Sequence, residues 1–390
     1  MTTSRAAARI DGLGTTIFAR MSALAVATDS INLGQGFPDV DGPIEVIEAA
    51  AAALHAGRNQ YAPGPGVPEL RAAIAAHQKR FYGIDLDTDG EVLVTTGATE
   101  AIAAAVLAFV EPGDEVIALE PYYDSYAATI AMAGGVRVPV TLRAPDFRLD
   151  CDALREAVTP RTKLLLINSP HNPTGTVLTD EELQFIARLA CERDLLVVTD
   201  EVYEHLIFDG VSHRPLATYD GMAERTLSVS SGGKTFSFTG WKIGWATGPA
   251  DLVGAVMTIK QFLTYTSGAP LQPAIAQALA LPDDYYESAR LALQAKRDRL
   301  CRGLSEVGFN VFVPQGTYFV TTDITPLGYA DGLQFCLDLP KTCGVVAIPH
   351  DVFYDDKQAG ASLVRWAFCK RDEVLDEAIG RLACLTPGRG

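Results

Sequence analysis

Apolar residues in this chain alternate between helical spacing and short, nearly continuous runs from about Pro43 onward. Helical spacing predicts helices over residues 43–57, 67–83, 99–110, 123–135 and 179–194. The apolar runs predict strands over residues 91–98, 115–121, 162–170, 195–203 and 226–231. Because these strands are apolar on both faces, helices must cover both sides of the sheet. The pattern therefore predicts an α/β fold with a mostly parallel sheet.

The pattern changes after about Asp283. A long amphipathic helix over 283–308 leads into short strands over 309–314, 317–324 and 362–370, and a last helix over 372–385. We expect a large α/β domain over residues 43–285. Residues 1–42 and 286–390 form a smaller α+β domain with an N-terminal arm in this prediction.

Composition narrows the class of protein. The 390 residues are 48% hydrophobic, and 32 Lys and Arg face 48 Asp and Glu, which leaves a net charge of −16. This charge has the wrong sign for a protein that neutralises nucleic-acid phosphates. With no apolar stretch near the ~18 residues of a membrane span and no hydrophobic leader, we expect a cytosolic protein. Seven cysteines without a C-x-x-C pair and six histidines without H-x-x-x-H give no indication of a metal site.

Polar clusters that follow apolar strands are the candidate sites, because open α/β sheets bind ligands at the carboxyl ends of their strands. Lys234 lies in such a cluster beside Gly232 and Gly233, which allow a ligand close to the backbone. A P-loop is excluded, since Ser228 stands where that motif requires glycine. Lys234 is therefore either a solvated turn residue or a nucleophile that binds a carbonyl compound.

Three further clusters can each be interpreted as structural or as ligand-binding. Asp200, with Tyr203 one helical turn later, ends an apolar strand, so its carboxylate is either in a structural ion pair or bound to a cationic ligand. Asn172 lies in a Pro- and Gly-rich turn and offers an amide to a ligand. Thr99 either caps a helix or lies in a phosphate site at its N-terminus.

Taken in order, NLGQGFPD, SPHNPTG, DEVYEHLIFD and SSGGKTFSFTGWKIGW resemble the class I/II aminotransferases of pyridoxal-phosphate (PLP) fold type I. They are most similar to the branch with kynurenine/glutamine aminotransferases and actinobacterial N-succinyldiaminopimelate aminotransferases. The resemblance runs from about residue 15 to 385. It implies a large domain with a mostly parallel seven-stranded sheet, a smaller α+β domain and bound pyridoxal 5'-phosphate.

The resemblance also assigns roles to residues. Lys234 would hold the cofactor covalently and move the substrate proton, Asp200 would pair with the ring nitrogen, and Tyr203 would bond the ring hydroxyl. The implied cofactor contacts are Gly97, Ala98, Thr99, Tyr123, Asn172, Asp200, Tyr203, Ser231, Lys234, Lys242 and, from a neighbouring subunit, Tyr61. The implied substrate contacts are Gly36, Asn172 and Arg365, with Arg365 binding the α-carboxylate.

The activity implied is amino transfer between an amino acid, with glutamate as the expected donor, and a keto acid. N-succinyldiaminopimelate aminotransfer in lysine biosynthesis is the first candidate, and glutamine, methionine or kynurenine aminotransfer is the second. A cysteine-conjugate β-lyase and a cofactor-binding regulator are the other classes. A homodimer with shared active sites is implied, without nucleic-acid or membrane partners. Candidates for reading the substrate side chain are Arg20, Tyr265, Ser267, Tyr318 and His350.

Overall fold

The structure is a computed structural model that describes residues 7–10 and 13–385. Residues 1–6 and 11–12 of the predicted N-terminal arm lie outside the described residues. The helices are α1 (Ile17–Ala27), α2 (Ile44–His55), α3 (Pro68–Tyr82), α4 (Gly97–Phe109), α5 (Asp124–Ala133), α6 (Cys151–Ala157), α7 (Asp180–Arg193), α8 (Gly232–Thr235), α9 (Ala250–Leu263), α10 (Gln272–Leu279), α11 (Asp283–Val307), α12 (Gly332–Cys343) and α13 (Asp372–Leu382). The strands are β1 (Ile31–Asn32), β2 (Val92–Thr96), β3 (Glu115–Glu120), β4 (Val136–Thr141), β5 (Thr162–Asn168), β6 (Leu196–Asp200), β7 (Thr226–Ser231), β8 (Ile243–Thr247), β9 (Asn310–Phe312), β10 (Phe319–Asp323), β11 (Val345–Val346), β12 (Ile348–Pro349) and β13 (Leu363–Ala367).

A seven-stranded sheet with the order β2-β8-β7-β6-β5-β3-β4 is the centre of the fold. The pairs among β7, β6, β5, β3 and β4 are parallel, whereas β8 is antiparallel to both of its neighbours. The predicted α/β class with a mostly parallel seven-stranded sheet is confirmed. Since β8 is the one reversed strand, the carboxyl ends of the other six strands lie along one edge.

Both faces of this sheet are buried, as the apolar runs predict. In β5, Leu165 and Ile167 pack into one apolar cluster, while Leu164 and Leu166 pack into another on the opposite face. The helix α7 covers the first face and α4 the second. The two-residue alternation of side chains places successive leucines on opposite faces, so one strand contributes to two cores.

A second sheet has the order β12-β13-β10-β9 and is antiparallel throughout. The short strand β1 pairs in parallel with β11, so the N-terminal part of the described chain packs beside its C-terminal part. The division into domains at 43–285 stays a prediction. Across the described ranges, no helix combines the length and the apolar character needed to cross a bilayer.

Candidate active site

The carboxyl ends of β2, β5, β6 and β7 meet at one cavity of about 410 Å³. Every residue to which the resemblance assigns a cofactor or substrate contact, except Tyr61, lines this cavity. These residues are Gly36, Gly97, Ala98, Thr99, Tyr123, Asn172, Asp200, Tyr203, Ser231, Lys234, Lys242 and Arg365. The structure therefore brings together residues that lie up to 329 positions apart in sequence, and their individual roles remain predictions.

Lys234 lies in the short helix α8, directly after β7. Its Nζ donates a hydrogen bond of 2.9 Å to the Tyr318 hydroxyl, which in turn donates to the carbonyl oxygen of Gly36. Burial disfavours the charged ammonium and lowers the pKa of Lys234 to about 8. A larger fraction of this amine is therefore neutral and nucleophilic near neutral pH than in an exposed lysine.

Asp200 ends β6 and its side chain is buried. It accepts a hydrogen bond of 2.6 Å from the Tyr126 hydroxyl and a longer one, 3.3 Å, from the backbone N–H of Val202. Within the described ranges no lysine or arginine forms an ion pair with it, and burial raises the pKa of the Asp200 carboxyl more than the charge of Lys234 lowers it. The site thus presents a buried carboxylate that a cation in the cavity would hold in its charged form.

The N-terminus of α4 forms an anion-binding corner of the cavity. The N-cap residue is Thr96, and its side chain bonds none of the helix amides, so the first amides of α4 are not capped by a side chain. Thr99 instead accepts a 3.4 Å hydrogen bond from Lys242. Gly97 has φ 71°, and a Cβ on Gly244 would lie 2.5 Å from the Gly97 carbonyl carbon. Free amides, a helix dipole and an ammonium group together favour a phosphate.

Arg365 in β13 brings a buried cation to the opposite side of the cavity. Its guanidinium donates 3.0 Å hydrogen bonds to Asn172 Oδ1 and to the Gly34 carbonyl, and it lies 3.9 Å from the centroid of the Phe319 ring. Its Nε has no hydrogen-bond partner among the described residues. Burial lowers the pKa of Arg365 to about 10. Because it pairs with no carboxylate in the described part of the chain, Arg365 is available for a carboxylate ligand.

Tyr61 lies outside the cavity and is 80% exposed. Its ring makes an edge contact with Tyr265, with centroids 5.3 Å apart. The five residues predicted to read the substrate side chain do not line the cavity either, although the Tyr318 hydroxyl accepts a hydrogen bond from Lys234, which does line it. Arg20 is exposed, Ser267 bonds Thr96, and His350 is buried against Thr321. Arg20, Tyr265, Ser267 and His350 are therefore not placed to contact a substrate in this chain's own cavity.

The structure adds residues that the sequence analysis does not identify. Thr16, Phe18, Gln35, Asp124 and Phe319 also line the cavity. Tyr126, which bonds Asp200, is also new. Tyr126 follows Tyr123 by three residues in a helix, so the helical spacing carries a signal for it. Gln35 and Asp124 are chain neighbours of the predicted residues Gly36 and Tyr123, so adjacency carries a signal for them. Thr16, Phe18 and Phe319 come from other segments, and no motif in the sequence marks them.

The geometry agrees with comparisons to known proteins. The sequence model of the family described as aminotransferase class I and II matches residues 28–382. A probable N-succinyldiaminopimelate aminotransferase of Mycobacterium tuberculosis is 56% identical over 388 residues, which are 97% of this chain and 98% of that protein. The methionine aminotransferase of Escherichia coli is 39% identical over 374 residues, with 96% and 97% covered.

The solved structure of N-succinyldiaminopimelate aminotransferase from M. tuberculosis matches with a TM-score of 0.96, and the match covers 97% of this chain and 100% of that one. This chain belongs to the class I and II aminotransferases. It is an enzyme, and its class of reaction is amino transfer.

Proposed function

We propose that this chain is a pyridoxal 5'-phosphate-dependent aminotransferase of lysine biosynthesis that forms N-succinyldiaminopimelate, with glutamate as the amino donor. The observation that carries the chemistry is the one cavity that holds a lysine with a lowered pKa, a buried carboxylate and a buried arginine that pairs with no carboxylate among the described residues. The choice of substrate rests on the 56% identity to the mycobacterial relative.

The residues fit the cofactor at three points. The uncapped amides of α4 with Lys242 and Ser231 match a phosphate. Asp200 matches a protonated ring nitrogen, since its carboxylate is buried and forms no ion pair with a lysine or arginine of the described residues. Lys234 matches the aldehyde, because a neutral amine is what attacks a carbonyl carbon. Tyr123, also lining the cavity, would stack on the ring, and Tyr203 would bond its hydroxyl.

When bound, pyridoxal phosphate supplies an aldehyde that accepts the amino group and a protonated ring that draws electrons away from the substrate Cα. Asp200 keeps a proton on the ring nitrogen by offering it a fixed negative charge. Lys234 Nζ would take the proton from the substrate Cα and deliver it to the cofactor carbon that carried the aldehyde. Tyr318, hydrogen-bonded to Lys234, orients this amine. Arg365 holds the substrate α-carboxylate and so fixes which bond of Cα faces Lys234.

A homodimer is part of this proposal. Tyr61 is exposed beside Tyr265, and Phe262, in the last turn of α9 and three residues before Tyr265, is 83% exposed. Aromatic residues left exposed together are typical of protein interfaces. A partner subunit over this surface would cover these rings and carry Tyr61 toward the partner's phosphate site. Sedimentation equilibrium of the purified protein tests the dimer.

Substrate profiling tests the proposed reaction. With glutamate as donor, the keto acid of N-succinyldiaminopimelate is expected to give a kcat/KM at least about tenfold above those of the keto acids of methionine, glutamine and kynurenine. A higher value for one of these three would transfer the assignment to that branch. Release of pyruvate and ammonia from a cysteine conjugate without any keto acid would instead identify a β-lyase.

Arg365→Ala is expected to lower kcat/KM for amino-acid substrates by about 10²-fold or more, mainly through KM, because two charge-assisted hydrogen bonds to the carboxylate are lost. The matched control is Arg20→Ala, which removes the same charge from an exposed position on α1. A carboxylate-free amine should react equally slowly with wild type and Arg365→Ala. If the variant slows the amine as much as the amino acid, Arg365 does not bind the carboxylate.

The pKa of Lys234 predicts how fast cofactor-free protein captures pyridoxal phosphate at different pH. A lowered lysine pKa means that the neutral amine forms as pH rises through about 8 rather than through 10.5. The capture rate, divided by that of free N-acetyl-lysine methyl ester at each pH, is expected to fall above pH about 8, where the protein amine is already neutral. Stopped-flow absorbance measures both rates. A constant ratio up to pH 10 would contradict the lowered pKa.

A further inference from the structure

A second cluster of ionisable side chains lies where helix α3 meets the segment that follows β6. His77 in α3 and the adjacent pair Glu204 and His205 after β6 come together there. The Nε2 atoms of the two imidazoles are 2.7 Å apart, and one ligand atom from each of the three residues lies within 4.8 Å of the others. Because 128 positions separate the two histidines, spacing along the sequence gives no sign of this cluster.

Two buried carboxylates carry negative charge here, Glu204 in the cluster and Glu201 beside it. Glu204 and Glu201 are each 4% exposed. Glu204 accepts hydrogen bonds from the hydroxyls of Tyr82, at 2.6 Å, and Ser230, and Glu201 bonds the His213 imidazole at 3.1 Å. In the described ranges neither carboxylate pairs with a lysine or arginine. A buried carboxylate is costly unless a cation lies close to it.

The nearest arginine does not supply that cation. Arg80 lies one turn from His77 on α3, and its guanidinium forms an ion pair with Asp283 and stacks 4.8 Å from the centroid of Phe81. Phe81 packs against both imidazoles, with ring centroids 4.6–4.8 Å apart, and the Tyr286 centroid lies 4.5 Å from that of His205 and 6.4 Å from that of His77. The aromatic rings limit water around the cluster, so the charge of Glu204 acts at short range through a weakly screening medium.

Both histidines are suited to bind a metal ion. Burial lowers the pKa of His77 and, more strongly, of His205, which keeps the imidazoles neutral. In the hydrogen bond between the two Nε2 atoms one nitrogen donates its proton and the other accepts it. A neutral imidazole can carry its proton on Nδ1 instead, and that tautomer of both rings would present two Nε2 lone pairs to a metal ion beside Glu204. The hydroxyls of Tyr82 and Ser230 hold the Glu204 carboxylate in place, as outer hydrogen bonds do for metal-bound carboxylates.

We propose that His77, Glu204 and His205 form a binding site for a divalent transition-metal cation, with Zn²⁺ as the best match. Two imidazole nitrogens and one carboxylate are a common zinc donor set, and the fourth position would be open to water. Zinc–nitrogen bonds of about 2.0–2.1 Å in tetrahedral geometry place two nitrogens about 3.3 Å apart, so the rings must separate by roughly half an ångström.

The site would support the catalytic cavity without being part of it. Glu204 follows Tyr203 directly in the chain, and Ser230 precedes Ser231, so the cluster anchors the backbone on which two cavity residues lie. A bound cation would tie α3 to this backbone. It would therefore stabilise the folded protein by mass action and raise its melting temperature.

Zinc titration of the chelator-treated holoenzyme against a chromophoric competitor tests the site. We expect one equivalent bound with a Kd of about 1 µM or tighter. His77→Gln and His205→Asn should each weaken binding by about tenfold or more, since glutamine and asparagine keep a polar side chain for the neighbouring imidazole but are poor zinc ligands. His213→Asn is the matched control: it removes a buried imidazole that bonds Glu201 and lies outside the cluster, and it should leave zinc binding unchanged.

Thermal unfolding with and without zinc gives an independent measurement. Zinc should raise Tm for wild type and His213→Asn, and should not raise it for the His77→Gln/His205→Asn double variant. Circular dichroism establishes that each variant is folded. If wild type binds no stoichiometric zinc, or if the double variant binds it as tightly as wild type, the proposal is overturned and the two imidazoles are a hydrogen-bonded pair without a metal.

Discussion

Lys234→Ala is expected to lower kcat for amino transfer by at least about 10⁴-fold. Alanine removes both the group that would attach the cofactor and the base that would move the proton at Cα. No other amine that lines the cavity can replace it, because Lys242 is hydrogen-bonded to Thr99 at the phosphate corner. Steady-state kinetics and mass spectrometry after borohydride reduction measure the two losses separately: wild type should gain the mass of the cofactor, and the variant should not.

Lys242→Ala is the matched control, since it removes a lysine from the same cavity. It should weaken retention of pyridoxal phosphate while leaving kcat within about tenfold at saturating cofactor, because the ammonium of Lys242 contacts the phosphate corner and not the reacting carbon. Equal losses of kcat in the two variants would contradict the assignment of Lys234. Borohydride-stable attachment of cofactor to Lys234→Ala would contradict it as well.

The large sheet follows from the sequence because its strands are apolar on both faces and end at polar clusters. The pattern predicts a strand over 226–231, and β7 has those bounds. The helix predicted over 179–194 is α7, and it begins at a capping box in which Thr179 and Glu182 make both hydrogen bonds. These signals depend only on residues that are close together in the sequence, so they can be recognised without knowing the tertiary contacts.

The elements that the pattern does not predict depend on tertiary packing. Strand β4 contains Pro139 and lies at the edge of the sheet, where a missing N–H costs nothing. Helix α12 contains Pro340 in its last turn, which obscures a helical pattern. The strand β8 lies in a segment rich in glycine and polar residues and is buried because both of its neighbours pair with it.

Part of the cavity can be predicted from the sequence for the same reason. Polar residues that follow apolar strands converge because strand ends share an edge, and this rule places Asp200, Ser231 and Lys234 together. Tyr126 and Phe319 reach the site only through packing of α5 and β10 against it. The contact between His77 and His205 also has no local signal, since it exists only once α3 packs against the segment after β6.

Asp200→Asn is expected to lower kcat by about 10²–10³-fold while leaving cofactor bound. Asparagine has nearly the same volume and still accepts the hydrogen bond from Tyr126, so the fold around β6 should not change. The amide carries no charge, however, and it donates to an unprotonated ring nitrogen instead of stabilising a protonated one. The variant should therefore separate cofactor binding, which it keeps, from proton removal at Cα, which it slows.

Two further variants test whether the effect of Asp200→Asn comes from the buried charge of Asp200 itself. Asp124→Asn removes the other carboxylate that lines the cavity, whose pKa burial also raises, and it should change kcat by less than about tenfold. Tyr126→Phe removes one donor to Asp200 and should fall between the two variants, because Asp200 keeps its charge but loses its orientation. Single-turnover rates with a deuterated Cα report the proton-transfer step directly. A loss for Asp124→Asn equal to that of Asp200→Asn would mean that net charge in the cavity, and not a carboxylate beside the ring nitrogen, determines the rate.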